Sequence, residues 1–508
     1  MRNNDQLCTP DPEATIESIR SLGYDLNIAI SDLIDNSITA KSGSIWILHK
    51  WDGNNSFVAI YDDGAGMDND ELFNAMRLGS TNPNVEREPG DLGRFGLGLK
   101  VASWSQCRIL TVTTKNKSGE VSQRKWDIDY VSKQNSWVLL TNTDKTSNSI
   151  ITNLIGKAET GTVVLWQNLD RLITLDGNND ENENYFYERI ENLKKYLSMI
   201  FHRFLSGPQA IKIYISHIDD YGNEKTKLKP WDPFLEKNTY TQDLGTEKIK
   251  YKNNTILVTP FILPHHSKYT SNIQFSEAGG IYGWNAHQGF FVYRQRRLLM
   301  HGGWLGFAKP EDHYKLARIR IDISNNMDSD WKIGVKKIQV TPPDIFKKEL
   351  KKYAQIAREK AAKVYRFRGA IDRRGNPQIK ELVWKRYKNR AGEVSYKIER
   401  KHPVIEALVK EAGNKSKVNT LLGLVEKTVP VETIIVSDRD DPNAHVKSAN
   451  SSKEDKIPLK KWYNEHMKLL TKKLEMTRED AFKKLLTIEP FNYYIKDLEV
   501  FRGAEINE

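Results

Sequence analysis

The sequence predicts an α/β protein built from several domains, and three observations carry this prediction. The N-terminal part of the chain alternates helix-like and strand-like hydrophobic patterns. The chain has 508 residues, which exceeds the size of one ordinary domain. Hydrophobic residues make up 39% and aromatic residues 10% of the sequence, and these fractions are sufficient for packed cores. We therefore expect about three folded domains and not a disordered chain.

The first 205 residues supply most of the predicted elements. Two helices are predicted at 13–23 and 27–40, because apolar residues recur there every three or four positions. Segments 44–50 and 56–63 are predicted strands on either side of the turn WDGNN. The remaining predictions are a polar, glycine-rich stretch at 79–98, a helix that opens near Leu99, strands at 108–114, 121–129, 136–140 and 161–166, and a helix near 187–205.

After residue 210 the pattern changes to strands and loops, which include the segments AIKIYIS and GFFVYRQRRLLM. A long helix is predicted at 344–368. Its apolar stripe consists of Phe346, Leu350, Tyr353, Ala357 and Val364. Residues 433–458 are rich in Asp, Ser and Asn, as is typical of a linker or long loop. A final helical segment, in which lysines and leucines alternate, is predicted at 459–485.

Composition argues against several classes of protein. Cys8 and Cys107 are the only cysteines, so neither a disulfide framework nor a cysteine zinc site is expected. The polar N-terminal stretch lacks the apolar core of a signal peptide. No run approaches the ~18 apolar residues that a membrane helix needs. We therefore expect a soluble, intracellular and cytoplasmic protein without a membrane partner.

Positive charge is concentrated in one part of the chain. Residues 347–401 contain 19 Lys and Arg against 6 Asp and Glu, a surplus of 13. This surplus exceeds the net charge of +11 on the whole chain, so the rest of the protein is close to neutral. Such a segment is either the solvated face of a helix or a surface for a polyanion such as nucleic acid.

Polar side chains crowd onto one short helix, and two glycine-rich motifs follow it. The stretch SDLIDNSITA (31–40) places Asp32, Asp35 and Asn36 among apolar residues. Next come DxGxG at 62–66 and the segment DLGRFGLGLK at 91–100. Glycines directly before a helix let backbone N–H groups approach a phosphate. The dinucleotide fingerprint, the Walker loop and the protein-kinase motifs are all missing.

Taken together and in this order, these motifs resemble those of the GHKL superfamily, which comprises gyrase, the ninety-kilodalton heat-shock chaperones, histidine kinases and MutL. The match consists of ISDLIDNSITA for the N box (typically ELxxNxxDA), DDGAGM for the adenine box, GRFGLGLKVAS for the lid hinge and TGTVVLW for the strand that carries the last conserved threonine. The resemblance implies the Bergerat fold, an α/β sandwich that binds ATP, over about residues 13–205. Within the superfamily, the motifs are most similar to those of MORC-like proteins, which include prokaryotic relatives found beside restriction genes.

The resemblance also assigns roles at the adenine end of the ATP site. Asp62 would accept a hydrogen bond from the adenine amino group. Gly64, Gly66 and Met67 belong to the same motif, and Gly66 and Met67 would shape the adenine pocket. Thr162 would hold the water network behind the adenine.

At the phosphate end, the resemblance implies a metal ligand and a lid. Asn36 would bind Mg²⁺ through its side-chain oxygen, and the metal would offset charge on the triphosphate. The lid over the phosphates would be formed by Gly93, Gly96, Gly98, Leu99 and Lys100.

Position 32 departs from the family pattern, because the general base of the family is glutamate and Asp32 is one methylene shorter. A displacement of about 1 Å can slow a reaction on the order of a hundredfold. Either the backbone closes this gap, or another carboxylate such as Asp35 serves, or hydrolysis is slow. We take Asp32 as the predicted base.

The second half of the chain supplies one further catalytic candidate. The segment DWKIGVKKIQVTPP (330–343) resembles the MutL segment whose lysine reaches the γ-phosphate, which assigns Lys337 this role and leaves Lys336 as the alternative. An exposed lysine pair at a strand end is the other interpretation. The three arginines of the YRQRR segment are either functional or part of a solvated strand face; these are Arg294, Arg296 and Arg297. The MutL nuclease motif DQHAxxE is missing, so no nuclease of that type is predicted.

The predicted protein is thus a Mg²⁺-dependent ATPase of MORC and GHKL type. By resemblance, ATP would drive two N-terminal domains into a homodimer that clamps or compacts double-stranded DNA through residues 347–401, in an anti-phage or restriction-linked system. The alternative is a chaperone-like or scaffolding ATP switch that acts on a partner protein and hydrolyses little ATP.

The predicted regions are an ATP-binding domain (1–205), an α/β transducer-like domain (206–345), a basic helical region (346–432), a linker or long loop (433–458) and a C-terminal helical segment (459–508).

Overall fold

The protein divides into two compact units, Met1–Arg366 and Phe367–Glu508. A computed structural model describes residues 8–21, 23–79, 98–156, 158–172, 179–252, 254–333, 340–366, 383–388, 394–429, 453–473, 476–488, 491 and 494–506. None of the helices in these ranges is both long and apolar enough to cross a membrane.

A six-stranded mixed sheet forms the centre of the first half of unit 1. Its strands are β1 (Ser44–Lys50), β2 (Phe57–Asp62), β3 (Ile109–Lys115), β4 (Val121–Asp127), β5 (Gly161–Gln167) and β6 (Lys212–His217). Their order is β4-β3-β5-β2-β1-β6, and only the β1–β6 pair is parallel. The helices are α1 (Pro12–Arg20), α2 (Leu26–Thr39), α3 (Asn69–Met76), α4 (Gly98–Trp104), α5 (Ile128–Gln134), α6 (Lys145–Ile155) and α7 (Asn179–Ile200).

Alternating side chains of this sheet fill two different cores, since successive residues of a strand point to opposite faces. On β2, Val58 and Ile60 join the larger core with α1, α2, α3, α4 and α7. The intervening residues Phe57, Ala59 and Tyr61 pack with α6 on the other face. All six residues of β2 are therefore buried, and the domain is a sandwich with helices on both faces of the sheet.

A second sheet and one long helix complete unit 1. Its strands are β7 (Gln242–Asp243), β8 (Glu247–Tyr251), β9 (Asn254–Ile262), β10 (Gly289–Arg294), β11 (Arg297–His301) and β12 (Ala317–Ile323). Two short helices, α8 (Asn272–Gly279) and α9 (Gly283–Ala286), precede β10, and α10 (Asp344–Arg366) follows the sheet. The strand order is β11-β10-β12-β9-β7, with β8 paired to β9.

The two faces of the second sheet pack on different partners. Phe291, Tyr293 and Leu298 join the core of the first domain. The opposite face packs on α10 through the predicted stripe: Phe346, Leu350 and Ala357 are buried, and Tyr353 and Val364 are partly buried. The two halves of unit 1 are therefore joined by a continuous hydrophobic core.

Unit 2 contains a two-stranded antiparallel sheet and five helices among its described residues. These are β13 (Trp384–Lys388), β14 (Val394–Ile398), α11 (Pro403–Glu411), α12 (Lys415–Lys427), α13 (Lys453–Lys473), α14 (Arg478–Leu485) and α15 (Ile495–Ile506). Tyr463 and Leu470 of α13 pack with Phe482 and Leu485 of α14 in its core. The predicted linker (433–458) lies outside the described residues up to position 452. Its last residues, 453–458, belong to α13, so the prediction of a loop is wrong there.

The predicted α/β class is confirmed, and four details of the predicted elements are wrong. Residues 136–140 do not form a strand; only Leu140 makes an isolated bridge, to Lys125. The preceding strand stops at Asp127, because its carboxylate accepts a hydrogen bond from the N–H of Tyr130 and starts α5. Helix α7 spans Asn179–Ile200, so it begins and ends before the bounds predicted for it, near 187–205. The segment 459–485 contains two helices, because Thr477 caps a new one.

Candidate functional site

The end of β2, the start of β5 and the end of β3 lie side by side at one edge of the first sheet, where their residues form the floor of the candidate site. Asp62 at the end of β2 lies opposite Thr162 of β5, and Thr162 lies opposite Thr114 of β3. Helix α2 crosses this edge, so that Ser37 reaches Asp62. The sequence predicted Asp62 and Thr162 as site residues, and the sheet register makes them neighbours across two strands.

Asp62 is a buried carboxylate that accepts two hydrogen bonds. The hydroxyl of Ser37 donates to Oδ2 at 2.8 Å, and the N–H of Gly64 donates to Oδ1 at 2.9 Å. Burial raises the pKa of Asp62 to about 6, although these two hydrogen bonds oppose the shift. The carboxylate is therefore fixed in orientation and remains a strong hydrogen-bond acceptor at neutral pH.

This raised pKa predicts an unusual dependence of stability on pH. The folded protein holds the Asp62 proton more tightly than the unfolded chain, whose aspartates titrate near 3.8. As pH rises from about 4 to about 6, this aspartate ionises in the unfolded chain while it stays protonated in the folded protein, which lowers the free energy of unfolding by up to about 3 kcal/mol. Asp62→Asn removes this effect. Urea denaturation at several pH values should show wild type losing stability relative to Asp62→Asn over this range, and parallel curves would contradict the assignment.

The residues after Asp62 approach β3 closely. Gly66 has φ +69°, and a Cβ built on it would lie 2.0 Å from the carbonyl oxygen of Lys115. The N–H of Met67 donates to Oγ1 of Thr114 at 2.9 Å. Thr114 also lies 3.1 Å from the hydroxyl of Thr162 and donates to the carbonyl oxygen of Gly161. Thr114 thus links the segment that follows Asp62 to β5, a role that its position in an ordinary strand pattern did not indicate.

Helix α2 presents the two polar residues that the sequence assigned to catalysis and metal binding. Asp32 is 4% exposed, whereas Asn36, one turn later, is exposed. The hydroxyl of Tyr24 is hydrogen-bonded to Asp32; burial, followed by this carboxylate, raises the pKa of Tyr24 far above its usual value. Gly98, the first residue of α4, faces Asp32, since a Cβ built on it would lie 3.7 Å from Oδ2.

The lid residues are only partly described. Gly93 and Gly96 lie outside the described residues. Leu99 is partly buried and packs against the core of the first domain. Lys100 is 1% exposed, and its ammonium donates to the carbonyl oxygen of Ala75 at 2.8 Å. Burial lowers the pKa of Lys100 to about 8, and its contact is with α3, at a position where the sequence predicted a phosphate contact.

Comparison with known proteins relates the sequence of this region to a family. Residues 24–162 match a family model described as histidine kinase-, DNA gyrase B-, and HSP90-like ATPase. These residues belong to the GHKL superfamily. A GHKL domain binds ATP and in general hydrolyses it, so the chain carries an ATPase domain. No curated protein matches the chain.

The GHKL domain makes a buried ionic contact with the second sheet that the sequence did not reveal. Nε of Arg297 on β11 lies 3.0 Å and 2.9 Å from the two carboxylate oxygens of Asp35 on α2. Arg294 is also buried and pairs with Asp328 at 2.7 Å. Arg296 alone among the three arginines of this segment is exposed. The interpretation of these arginines as a solvated strand face is therefore wrong for Arg294 and Arg297.

Lys337, the second predicted catalytic residue, lies outside the described residues, as does its alternative Lys336. Asp330, at the start of the same segment, pairs with Lys252 at 3.0 Å. The role of Lys337 at the γ-phosphate therefore stays a prediction from the sequence.

Proposed function

We propose that this protein is a Mg²⁺-dependent ATPase of MORC type, in which ATP binding joins the N-terminal domains of two copies and the joined pair holds duplex DNA. The observation that supports nucleotide binding best is the buried Asp62 carboxylate, oriented by Ser37 and Gly64 beside Thr162. A role in restriction-linked or anti-phage defence is the corresponding proposal for physiology, and it rests on the sequence resemblance.

The polar residues of α2 suit the phosphate end of the nucleotide. Asn36 is exposed and offers a side-chain oxygen, the hard ligand that Mg²⁺ prefers, so it would hold the metal. The metal would offset negative charge on the triphosphate. Asp32 lies one turn before Asn36 and would orient and deprotonate the attacking water. Asp62 would accept a hydrogen bond from the adenine amino group, and Gly66 and Met67 would shape the adenine pocket. Thr162 would hold the water network behind the adenine.

A second candidate function is an ATP switch that hydrolyses slowly and acts on a partner protein. Asp32 is shorter than the glutamate of the family, and its carboxylate is engaged by the hydroxyl of Tyr24. Both features oppose close approach to a water molecule. In this case bound ATP would stabilise a closed state, and release would reopen it.

The support for DNA binding comes from the exposed face of α10. Its apolar stripe is buried on the second sheet, so that its lysines face outward. The exposed lysines are Lys347, Lys348, Lys351, Lys352, Lys360 and Lys363. A row of ammonium groups on one helix face is a surface for phosphates and carries little sequence information.

Aromatic residues are interleaved with the basic residues of segment 347–401, and they include Tyr365, Phe367, Trp384 and Tyr387. The hydroxyl of Tyr365 donates to the carboxylate of Asp312 within unit 1, so its ring does not stand free on the surface. Trp384 is partly buried in unit 2. The remaining aromatic candidates, Phe367 and the side chain of Tyr387, lie outside what the structure describes. We therefore base the DNA proposal on the lysines of α10.

ATP hydrolysis by the purified protein, measured with Mg²⁺ in the presence and absence of long duplex DNA, tests the proposed function. Stimulation by DNA is expected if the DNA-bound state is the one in which the domains close. Turnover that DNA leaves unchanged would favour a protein partner. Nucleotide binding without turnover would favour the slow switch.

Reversing lysine charges on α10 tests the DNA surface directly. The variant Lys348→Glu/Lys351→Glu/Lys352→Glu should lose most DNA affinity, and the slope of log affinity against log salt should fall by about 2 to 3. The matched control reverses three exposed lysines outside the basic segment, Lys225, Lys227 and Lys229. DNA affinity measured by fluorescence anisotropy at several salt concentrations should remain near wild type for the control. Equal affinities of both triple variants would remove the DNA assignment.

A further inference from the structure

The buried pair between Asp35 and Arg297 is the contact from which a further role follows. Both side chains are nearly inaccessible to solvent, at 1% and 4% exposure. The two residues belong to different domains of unit 1 and lie 262 positions apart in the chain. Because an isolated buried charge is strongly disfavoured, each residue requires the other to remain in place.

Asp35 occupies a sensitive position on α2. It lies one residue before Asn36 and three residues after Asp32, within a single turn of a regular helix. A shift of Asp35 would therefore move both polar residues of the proposed phosphate end. The charge of Arg297 also acts on the carboxylate of Asp32 and the hydroxyl of Tyr196.

Arg297 is itself held rigidly by the second sheet. It follows a two-residue turn between β10 and β11, in which Gln295 has φ 48° and Arg296 has φ 72°. Positive φ at both central residues is the requirement of a type I′ hairpin turn, normally met by Asn and Gly. Gln295 and Arg296 both carry a Cβ, so the backbone is strained in this turn. Such strain persists where the surrounding structure fixes the backbone. The guanidinium also lies over the ring of Phe201, 5.4 Å from its centroid.

We propose that Arg297 is a positioning residue for ATP hydrolysis: through Asp35 it holds α2 so that Asp32 and Asn36 face the nucleotide. Turnover in the GHKL domain then depends on the presence and orientation of the second sheet. This inference rests on the proposed ATPase function, and it adds a named contact through which the second domain controls that activity. Since a displacement of about 1 Å at a reacting group costs on the order of a hundredfold in rate, loss of this contact should lower kcat more than nucleotide affinity.

The test compares two buried ion pairs of the same hairpin. Arg297→Gln should lower kcat about a hundredfold and change the Kd for ATP less than about threefold, because Asp62 and the adenine pocket are untouched. Arg297→Lys should restore part of kcat. Arg294→Gln is the matched control, since Arg294 pairs with Asp328 within the second domain. It should lower the melting temperature and leave kcat close to wild type.

A double variant separates positioning from stability. Arg297→Gln leaves the Asp35 charge buried without its partner and is expected to reduce stability. Asp35→Asn/Arg297→Gln removes both charges, so its melting temperature should recover while kcat stays low. Recovery of kcat to the wild-type value in the double variant, or an equal loss of kcat in Arg294→Gln, would overturn the positioning role. A wild-type protein that neither binds nor hydrolyses ATP would instead overturn the proposed function, and this inference with it.

Discussion

Replacing Gly66 with alanine is expected to abolish nucleotide binding and to destabilise the first domain by roughly 4 kcal/mol or more. The added Cβ would lie 2.0 Å from the carbonyl oxygen and 2.7 Å from the carbonyl carbon of Lys115. Both atoms belong to the backbone of β3, which is held between β4 and β5 and has no room to retreat. The positive φ of +69° adds strain for any residue with a Cβ.

Nucleotide titration and thermal unfolding together measure this effect. Gly119→Ala provides the matched control, because Gly119 also has a positive φ, of +85°, but a Cβ there would meet nothing within 4 Å. The control should lose only about 1 kcal/mol and keep its affinity for ATP. If Gly66→Ala and Gly119→Ala show the same stability and the same affinity for ATP, the close approach of Gly66 to β3 is not a property of the folded protein.

Replacing Asn36 with alanine is expected to reduce ATP turnover on the order of a hundredfold or more while the protein stays folded. Asn36 is exposed on α2, and alanine has the higher helix propensity, so stability should be unchanged or slightly higher. The loss of turnover follows from the proposed role of the side-chain oxygen as a Mg²⁺ ligand. Steady-state hydrolysis measured across a range of Mg²⁺ concentrations tests it, since a weakened metal site should also raise the Mg²⁺ concentration required.

A substitution of the same kind on the same helix serves as the control for Asn36. Asn27→Ala makes the identical chemical change near the start of α2, more than two turns from the proposed metal ligand. Its turnover should match wild type. Wild-type turnover in both variants would exclude Asn36 as a ligand. An equal loss of turnover in both variants would show that the effect arises from the helix as a whole.

Strong local patterns explain which elements were predictable. Helices α1 and α2 carry regular apolar spacing, and strands β1, β2, β3 and β5 carry continuous or alternating apolar residues, so their positions agree with the prediction within a few residues. Helix α3 was missed although its start is encoded locally. Asp68 and Glu71 form a capping box there, with each side chain accepting a hydrogen bond from the other's backbone N–H.

Two other helices were missed because the start of one looks like a loop and the start of the other looks like the continuation of a strand. Asp144 accepts from the N–H of Ser147 and begins α6 within a run of Thr, Asn and Ser. Asp127 begins α5 directly at the end of β4, where the apolar pattern continued as if in a strand. In both cases burial against the sheet, and not local propensity, selects the helix.

By itself, the sequence determined the chemistry of the candidate site. The spacing of Asp32 and Asn36 on one helix and the DxGxG motif that begins at Asp62 are local features, which any fold containing these elements retains. The tertiary structure alone decided which partners these residues have. Ser37 reaches Asp62 across 25 positions, and Arg297 reaches Asp35 across 262, because hydrogen bonds and ion pairs depend on distance in space and not on separation along the chain.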